Sequence, residues 1–311
     1  MTGADPATGA AAAGAPVADA PATGGPASDA GVIPPVLLVG GGKMGGAMLA
    51  GWRERGLAPS VVVDPAPGAA ALAGPGVRVV PGAGAVPDDF RPAAVVLAVK
   101  PQGADEAVPA YARHAADGAV VLSIMAGRTE AGVRALLGPD AATGATPGAA
   151  TPGAAVVRAM PNTPAAIRRG ITVAYAGAAV SAGQRALCDV LLAAVGEVAW
   201  VEDEALLDPV TAVSGGGPAY VFLLAELLER AAREQGLPPD LARRLARATV
   251  SGAGALLAAS TGDAEALRRA VTSPNGTTER ALAVLMQDDA WPALVSRAID
   301  AATARSRELA G

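Results

Sequence analysis

Histidine and cysteine are almost missing from this sequence, which holds one of each, His114 and Cys188. A zinc site built from His and Cys, an internal disulfide framework and an iron–sulfur cluster all lack ligands. A Ser–His–Asp or Cys–His pair would have to use His114, and no nucleophile motif stands beside it. We predict that His114 is a solvated surface residue and that Cys188 is a small buried apolar group rather than a reactive thiol.

An excess of positive charge is also absent, since 24 Lys and Arg stand against 29 Asp and Glu in the 311 residues, a net charge of −5. This balance argues against nucleic-acid or anionic-membrane partners. Residues 1–31 contain no Leu, Ile, Phe or basic residue, so we predict a disordered tail without signal-peptide features. We also expect no apolar run of the ~18 residues that suggests a membrane span, and hence a cytoplasmic protein. Residues 141–154 are a low-complexity loop.

Short apolar runs alternate with helical patterns over residues 32–202, which predicts a doubly wound, Rossmann-like α/β domain with a parallel sheet. Helices are expected at 43–56 and 181–194. Strands are expected at 36–39, 61–64, 77–80, 95–99, 119–124, 155–160, 171–174 and 197–201.

Residues 203–311 read as helical throughout. Gly217 and Pro218 mark the start of one helix, and Asp240 and Asp263 are expected to cap the next two. Residues 219–228 are apolar nearly all round, so that helix must be covered on several sides. A second subunit is the expected cover, which predicts an all-helical dimerisation domain and a homodimer, or a larger assembly of dimers.

A glycine turn follows the first predicted strand and opens the first helix. It has the spacing G-x-G-x-x-G, with glycines at Gly40, Gly42 and Gly45 and with Lys43 and Met44 between them. Such glycines allow a tight turn, close approach to a pyrophosphate, and packing of helix on strand. The turn therefore predicts dinucleotide binding at a helix N-terminus, the alternative being a plain strand–helix connection.

Two further strand ends fit a cofactor site. Asp64 ends the second strand, where an acid accepts hydrogen bonds from the adenosine ribose and favours NADH, or else caps the turn before Pro65. Lysine occurs only at Lys43 and Lys100, and both fall in candidate cofactor loops, although both could be solvated side chains. The loop after the fourth strand adds the candidates Ala98, Val99 and Pro101.

A third strand end, Met160-Pro161-Asn162-Thr163-Pro164, holds an amide between two prolines. Asn162 is thus suited to orienting a nicotinamide or a substrate, with Met160 beside it. A chance occurrence in a Pro-rich chain is the alternative.

The segment Ser273-Pro274-Asn275-Gly276-Thr277-Thr278 stands directly before a predicted helix. Hydroxyls, a glycine and free amides at a helix start suit a carboxylate. The alternative is ordinary capping of that helix by Asn275 or Thr277.

Six segments together resemble the pyrroline-5-carboxylate reductase family over about residues 34–305. They are the glycine turn with Lys43-Met44, LAVKPQ (97–102), SIMAGRT (123–129), RAMPNTPA (158–165), DPVTAVSGGGPAYVF (208–222) and VTSPNGTT (271–278). The resemblance implies a Rossmann-like domain that binds NADPH or NADH, and a helical domain that dimerises and completes the active site between subunits. It further implies reduction of the cyclic imine 1-pyrroline-5-carboxylate to L-proline.

The resemblance also implies residue roles. Ser273, Thr277 and backbone amides would bind the substrate carboxylate, while Thr278 would hydrogen-bond the ring nitrogen. Further substrate-binding candidates are Asn275, Gly276, Ser214 and Glu226, the last with subunit pairing as its alternative. Three departures stand out. Asn275 replaces the family's usual Gly, and Gly216 replaces a frequent Ser. Residues 1–31 and 141–154 are expected to be additions outside the family core.

Two rival functions share parts of this pattern. The β-hydroxyacid dehydrogenases combine a similar pair of domains but use a catalytic lysine in the second, and this chain has no lysine after Lys100. A non-catalytic dinucleotide-binding module would be marked by loss of the 273–278 loop, which is present.

Overall fold

The computed structural model describes residues 33–138 and 153–310. The predicted tail at 1–31 lies outside the described residues, as does nearly all of the 141–154 loop.

One eight-stranded sheet organises the first half of the chain, in the order β3-β2-β1-β4-β5-β6-β7-β8. Apolar runs form its centre because they can be buried on both faces, and every residue of β1, β2, β4 and β5 is buried. The strands are β1 (Val36–Val39), β2 (Ser60–Val63), β3 (Val77–Val80), β4 (Ala94–Leu97), β5 (Val120–Ser123), β6 (Val156–Met160), β7 (Gly170–Ala176) and β8 (Gly196–Val201).

The expectation of a wholly parallel sheet is wrong at one pairing. Strands β1 to β6 are parallel, β7 runs antiparallel to β6, and β8 is parallel to β7. Only residues 161–169 connect β6 to β7. A parallel crossover needs about a dozen residues or more, so this short connection forces the chain to turn back.

Helices cover both faces of the sheet, which confirms the doubly wound class. On one face the Trp52 indole packs into the core and donates a hydrogen bond to the Leu191 carbonyl at 2.8 Å, and Cys188 is buried there as predicted. The other face packs against Tyr111 and Val133. The helices of this half are α1 (Lys43–Glu54), α2 (Ala104–Ala107), α3 (Ala112–Ala116), α4 (Glu130–Leu137) and α5 (Ala182–Ala193).

The prediction of a surface position for His114 is wrong, because its side chain is only 1% exposed. Tyr111 and Ala115 are core residues, and a residue three positions after Tyr111 shares their helical face. The imidazole Nε2 accepts a 3.4 Å hydrogen bond from Arg113, while Nδ1 is buried without a partner among the described residues. Burial and the nearby Arg113 guanidinium lower the pKa of His114.

This lowered pKa predicts acid-sensitive stability. Below the ordinary pKa of about 6.5, the unfolded chain binds a proton that folded His114 resists. The contribution of neutral His114 to the free energy of unfolding is therefore fully present above that pH. It is lost as the pH is lowered toward the pKa of His114 in the folded state. We expect the Tm of the wild type to fall between neutral and mildly acidic pH more than the Tm of His114→Gln. Equal pH slopes for the two proteins would contradict this account.

Residues after β8 form helices around little core of their own. Few side chains there are buried, whereas Leu223 is 50% and Phe222 69% exposed. The helices are α6 (Leu207–Val210), α7 (Gly217–Glu234), α8 (Pro239–Ala259), α9 (Ala264–Ala270), α10 (Thr277–Leu285) and α11 (Trp291–Ala310), with a π-helical turn at Thr211–Gly215.

The two predicted caps have different outcomes. Asp263 caps α9, since its carboxylate accepts a 2.7 Å hydrogen bond from the Ala266 amide. Asp240 does not cap α8, which begins one residue earlier at Pro239. The fixed φ of Pro239 suits the first helical position, so Asp240 lies inside the first turn.

The continuous helical run Glu204–Glu234 is long and apolar enough to cross a membrane, by length and composition only. It has 31 residues, and its most apolar window has a mean hydropathy of 1.3 and is 6% buried. This finding differs from the expectation that no apolar run reaches the length of a membrane span. The run is this long because α6 leads directly into the π-helical turn, and only Gly216 separates that turn from α7.

Candidate active site

The glycine turn has the local geometry that its spacing predicts. Gly40 has φ +97°, in the region that favours glycine. A Cβ on Gly45 would lie 2.1 Å from the Gly40 carbonyl oxygen, so only glycine lets α1 pack this closely on the turn. A Cβ on Gly42 would meet open space. The backbone at Gly42 is therefore accessible at the start of α1, where unpaired amides favour an anion.

Asp64 binds the backbone of the turn. One carboxylate oxygen accepts a 2.7 Å hydrogen bond from the Gly41 amide, and the other accepts a 2.8 Å bond from Ala66. Asp64 therefore caps the turn at Pro65, as the alternative interpretation of this residue predicts. The same carboxylate also borders the cavity described next.

A cavity of about 680 Å³ opens at the carboxyl ends of β1, β2 and β4. Ligands of open α/β sheets bind at such strand ends. Six predicted cofactor residues line it, namely Gly40, Gly42, Asp64, Ala98, Val99 and Lys100. The other six predicted cofactor residues do not line it, namely Lys43, Met44, Gly45, Pro101, Met160 and Asn162.

The opposite wall of this cavity was not identified from the sequence. It contains Gly103, Glu106, Ala107 and Tyr111, and burial raises the pKa of the Tyr111 hydroxyl to about 12. These residues follow β4 on short helical turns. One sequence signal points to these residues: they begin a helical segment directly after a predicted strand, where ligands of open α/β sheets bind.

The loop after β6 is fixed at both ends. The Asn162 side-chain oxygen accepts a 3.0 Å hydrogen bond from the Ile171 amide, which ties the loop to the start of β7. A Cβ on Gly215 would lie 2.6 Å from the Met160 methyl carbon, so Met160 packs directly on the π-helical turn. The predicted nicotinamide loop and the motif around Ser214 therefore meet within one chain.

Ser214 lies in that π-helical turn, a rare geometry found often at functional sites. Its hydroxyl oxygen is buried and has no hydrogen-bond partner among the described residues. The neighbouring polar groups are paired internally, since Thr211 donates to the Leu207 carbonyl and Tyr220 donates to the Ala212 carbonyl. An unsatisfied buried hydroxyl of this kind is available to a ligand or a water.

The 273–278 segment ends in a helix that lacks a side-chain cap. Asn275 has φ +60°, and its amide donates a 2.7 Å hydrogen bond to the Glu279 carboxylate. Gly276 occupies the cap position of α10, so the alternative of capping by Asn275 or Thr277 is wrong. The side chains of Ser273, Thr277 and Thr278 are exposed, and their hydroxyls have no hydrogen-bond partner among the described residues.

Within one chain the cavity and the 273–278 segment are not brought together. The described lining of the cavity comes from residues 39–111 alone. Glu226 is elsewhere again, in a groove of about 510 Å³ between α7 and α8 that also holds Glu229, Arg243 and Arg247. The cavity and the 273–278 segment are therefore separate in the single chain. They can form one site only if the helical half of the chain moves or if a second subunit supplies one of them.

Comparison with known proteins gives two family-level matches. Residues 204–309 match the model for pyrroline-5-carboxylate reductase dimerisation. Residues 35–127 match the model for coenzyme F420-dependent NADP oxidoreductases.

Several relatives match nearly the whole chain. A pyrroline-5-carboxylate reductase of Pseudomonas aeruginosa is 40% identical over 282 residues, which are 89% of this chain and 97% of that protein. The solved structure of a Coxiella burnetii pyrroline-5-carboxylate reductase is 30% identical, with a TM-score of 0.77, covering 90% of this chain and 99% of that one. A Plasmodium falciparum pyrroline carboxylate reductase with NADP bound shares the fold at 21% identity and a TM-score of 0.73, covering 90% and 100%.

Proposed function

This chain belongs to the pyrroline-5-carboxylate reductase family, and we propose that it reduces 1-pyrroline-5-carboxylate to L-proline with NADPH or NADH, in the last step of proline biosynthesis. The proposed site combines the strand-end cavity of one subunit with the α10 start of its partner. The observation that carries this proposal is the presence, in one chain, of a glycine-built dinucleotide cradle and an uncapped helix start bearing three free hydroxyls.

The residues present fit a nicotinamide dinucleotide. Gly42 leaves open space at the start of α1, and no acidic residue stands in the first turn of that helix to repel a pyrophosphate. Lys100 lines the same cavity and supplies positive charge. Lys43 and Met44 begin α1 beside the pyrophosphate position, and Gly45 maintains the turn. When bound, the cofactor would supply a hydride to the carbon of the imine, whose ring nitrogen carries a proton taken from solvent, so that the C=N group becomes CH–NH.

Asp64 leaves both cofactors open. An acid at this strand end favours NADH, whose ribose hydroxyls donate hydrogen bonds. Both of its carboxylate oxygens, however, already accept backbone hydrogen bonds in the chain. The carboxylate is thus partly neutralised by amide dipoles, which reduces its repulsion of the 2′-phosphate of NADPH. We therefore propose that both cofactors are used.

The substrate carboxylate is proposed to bind at the start of α10. The amides of Thr277 and Thr278 begin the helix, and its dipole favours an anion without a cationic side chain. The Gly276 amide donates to the Ser273 carbonyl at 3.1 Å, so Gly276 shapes the loop in front of them. The Ser273 and Thr277 hydroxyls add donors. Asn275 keeps the segment in the required turn, because it adopts the left-handed conformation that Asn tolerates better than most residues.

Three other residues are proposed to orient the reacting groups. Thr278 hydrogen-bonds the ring nitrogen and thereby fixes the imine carbon, so that positioning supplies much of the rate. Asn162, whose oxygen accepts a hydrogen bond from Ile171, is proposed to offer its amide hydrogens to the nicotinamide from the loop after β6, outside the described cavity lining. Ser214 offers an unpaired hydroxyl at the junction with Met160.

Subunit pairing is proposed to use the exposed apolar surface of α7, inside the region that matches the dimerisation model. For Glu226 we favour a subunit contact over substrate binding, because it lies in the α7–α8 groove rather than at either half of the site. A cytoplasmic location is proposed with the function, since the reaction consumes NAD(P)H. A β-hydroxyacid dehydrogenase remains disfavoured by the lack of lysine after Lys100.

Replacing Thr278 with alanine is expected to lower kcat at least about tenfold, or ~1.4 kcal/mol of transition-state stabilisation. The loss follows from removal of the hydroxyl that orients the ring nitrogen. Thr278→Ser keeps a hydroxyl and should retain most of the activity. The measurement is steady-state kinetics with 1-pyrroline-5-carboxylate. Wild-type kcat in Thr278→Ala would show that this hydroxyl has no such role.

The reaction itself is tested by following nicotinamide oxidation in the presence of 1-pyrroline-5-carboxylate, with NADH and NADPH supplied in turn. We expect turnover with both cofactors and formation of proline in equal amount to the cofactor oxidised. No turnover with either would defeat the proposed function.

A further inference from the structure

The Arg128 side chain makes four hydrogen bonds to the segment that follows β4. Its guanidinium donates two bonds to the Pro101 carbonyl, at 3.2 and 3.0 Å. It donates two more to the Asp105 carboxylate, at 3.0 and 2.9 Å. Such a two-pronged pair restricts geometry as well as adding energy. Arg128 belongs to the motif SIMAGRT at residues 123–129.

The segment that Arg128 holds is a wall of the cofactor cavity. Val99, Lys100, Gly103 and Glu106 line the cavity, and Pro101 and Asp105 alternate with them along the chain. Arg128 does not line it. The guanidinium therefore binds the wall from outside and acts on the cofactor through Pro101 and Asp105.

Few other hydrogen bonds hold this wall in place. Strand β4 ends at Leu97, and the last sheet-type bond is donated by Ala98 to Val39. Lys100 precedes a short 3₁₀ turn without a side-chain cap. Among the described residues, Arg128 is the one side chain that hydrogen-bonds any part of residues 98–105. The Arg128 guanidinium also holds the pKa of Asp105 below its usual range, so the pair is ionised at neutral pH.

We propose that Arg128 is a positioning residue for the cofactor, fixing the 98–105 wall so that the Val99-Lys100 backbone presents one conformation to the dinucleotide. This proposal rests on the proposed function. Arg128 preorganises the wall. A wall that becomes ordered only on binding loses conformational entropy, and this loss reduces the net free energy of cofactor binding.

The chain contains a matched control for this pair. Arg168 and Glu54 form a two-pronged pair, with bonds of 3.0 and 2.7 Å, away from the cavity lining. Its side chains are 28% and 64% exposed, against 28% and 65% for Arg128 and Asp105. Glu54→Ala and Asp105→Ala thus remove equivalent carboxylates, one beside the cavity and one remote from it.

The experiment measures the Kd of NADPH by calorimetry, together with Tm, for the purified wild type and each variant. We expect Arg128→Ala to weaken binding about tenfold, Arg128→Lys and Asp105→Ala to weaken it by a smaller factor, and Glu54→Ala to leave it unchanged. The expected kinetic counterpart is a raised KM for the cofactor with an unchanged KM for the imine. The Tm losses of Asp105→Ala and Glu54→Ala should be equal.

Three results overturn the proposal: an unchanged Kd in Arg128→Ala, equal weakening by Glu54→Ala, or wild-type affinity in Arg128→Lys. The lysine cannot make the two-pronged contact with Asp105, so it should not replace the arginine fully. Arg128→Lys and Asp105→Ala keep the test decisive if Arg128→Ala does not fold. A wild type that binds NADPH but reduces no imine would defeat the proposed function while leaving the role of Arg128 measurable. A wild type that binds no NADPH would defeat both.

Discussion

Gly45→Ala is expected to weaken NAD(P)H binding by about 100-fold, because losing amide hydrogen bonds to a charged pyrophosphate costs about 1.5–3 kcal/mol and 100-fold corresponds to about 2.8 kcal/mol. The added methyl carbon would lie 2.1 Å from the Gly40 carbonyl oxygen and 3.3 Å from the Ala98 Cβ. Helix α1 must then move away from the turn, and its first amides move with it. Calorimetric titration with NADPH measures the loss directly.

The adjacent glycine supplies the control. A Cβ on Gly46 would lie 3.4 Å from the Gly41 carbonyl oxygen and 3.8 Å from a Leu72 methyl, which are ordinary contacts. Gly46→Ala should therefore bind NADPH with near wild-type affinity. Unchanged affinity in Gly45→Ala, or equal losses in the two variants, would refute the role given to the turn.

Leu223→Glu is expected to dissociate the dimer and remove imine reduction. A charge buried without a partner in an interface costs ~3–5 kcal/mol, or on the order of 10²–10³-fold in the dimer dissociation constant. Leu223 is 50% exposed on α7 in the single chain, in a half that has few buried side chains of its own. Because the described cavity lining comes from one chain, the dissociated subunit should still bind NADPH.

Val190→Glu is the matched substitution outside the helical half. Val190 is an apolar residue on α5 that is 42% exposed, so a charge there meets solvent in either assembly state. We expect sedimentation velocity to show a dimer for the wild type and Val190→Glu, and a monomer for Leu223→Glu. A dimeric, fully active Leu223→Glu would show that α7 is not the subunit contact.

The sequence predicts the strands well because their burial is encoded locally, in runs such as 36–39 and 95–99 that have no polar residue to expose. It fails for features that depend on more distant geometry. The reversal between β6 and β7 follows from the length of their connection rather than from either strand's composition. The burial of His114 follows from its place beside Tyr111 on a helix too short to show a clear apolar period.

The candidate site is predictable to a similar extent. Gly40 and Gly45 are predictable from the sequence because their spacing marks positions that need glycine. Gly40 has a positive φ, and Gly45 leaves no room for a Cβ. The contribution of Tyr111 and the clamp by Arg128 are not predictable, because both depend on how the segments after β4 and β5 approach each other. The unsatisfied Ser214 hydroxyl arises from a π-helical turn, for which no sequence signal was available.

The most direct test of the central claim is a structure of the dimer with NADP⁺ and L-proline bound. We predict that the proline carboxylate accepts hydrogen bonds from the start of α10, at Thr277 and Thr278, while the nicotinamide lies in the cavity beside Gly40 and Lys100 of the other subunit. A carboxylate bound away from that helix start, with the nicotinamide in place, would contradict the account.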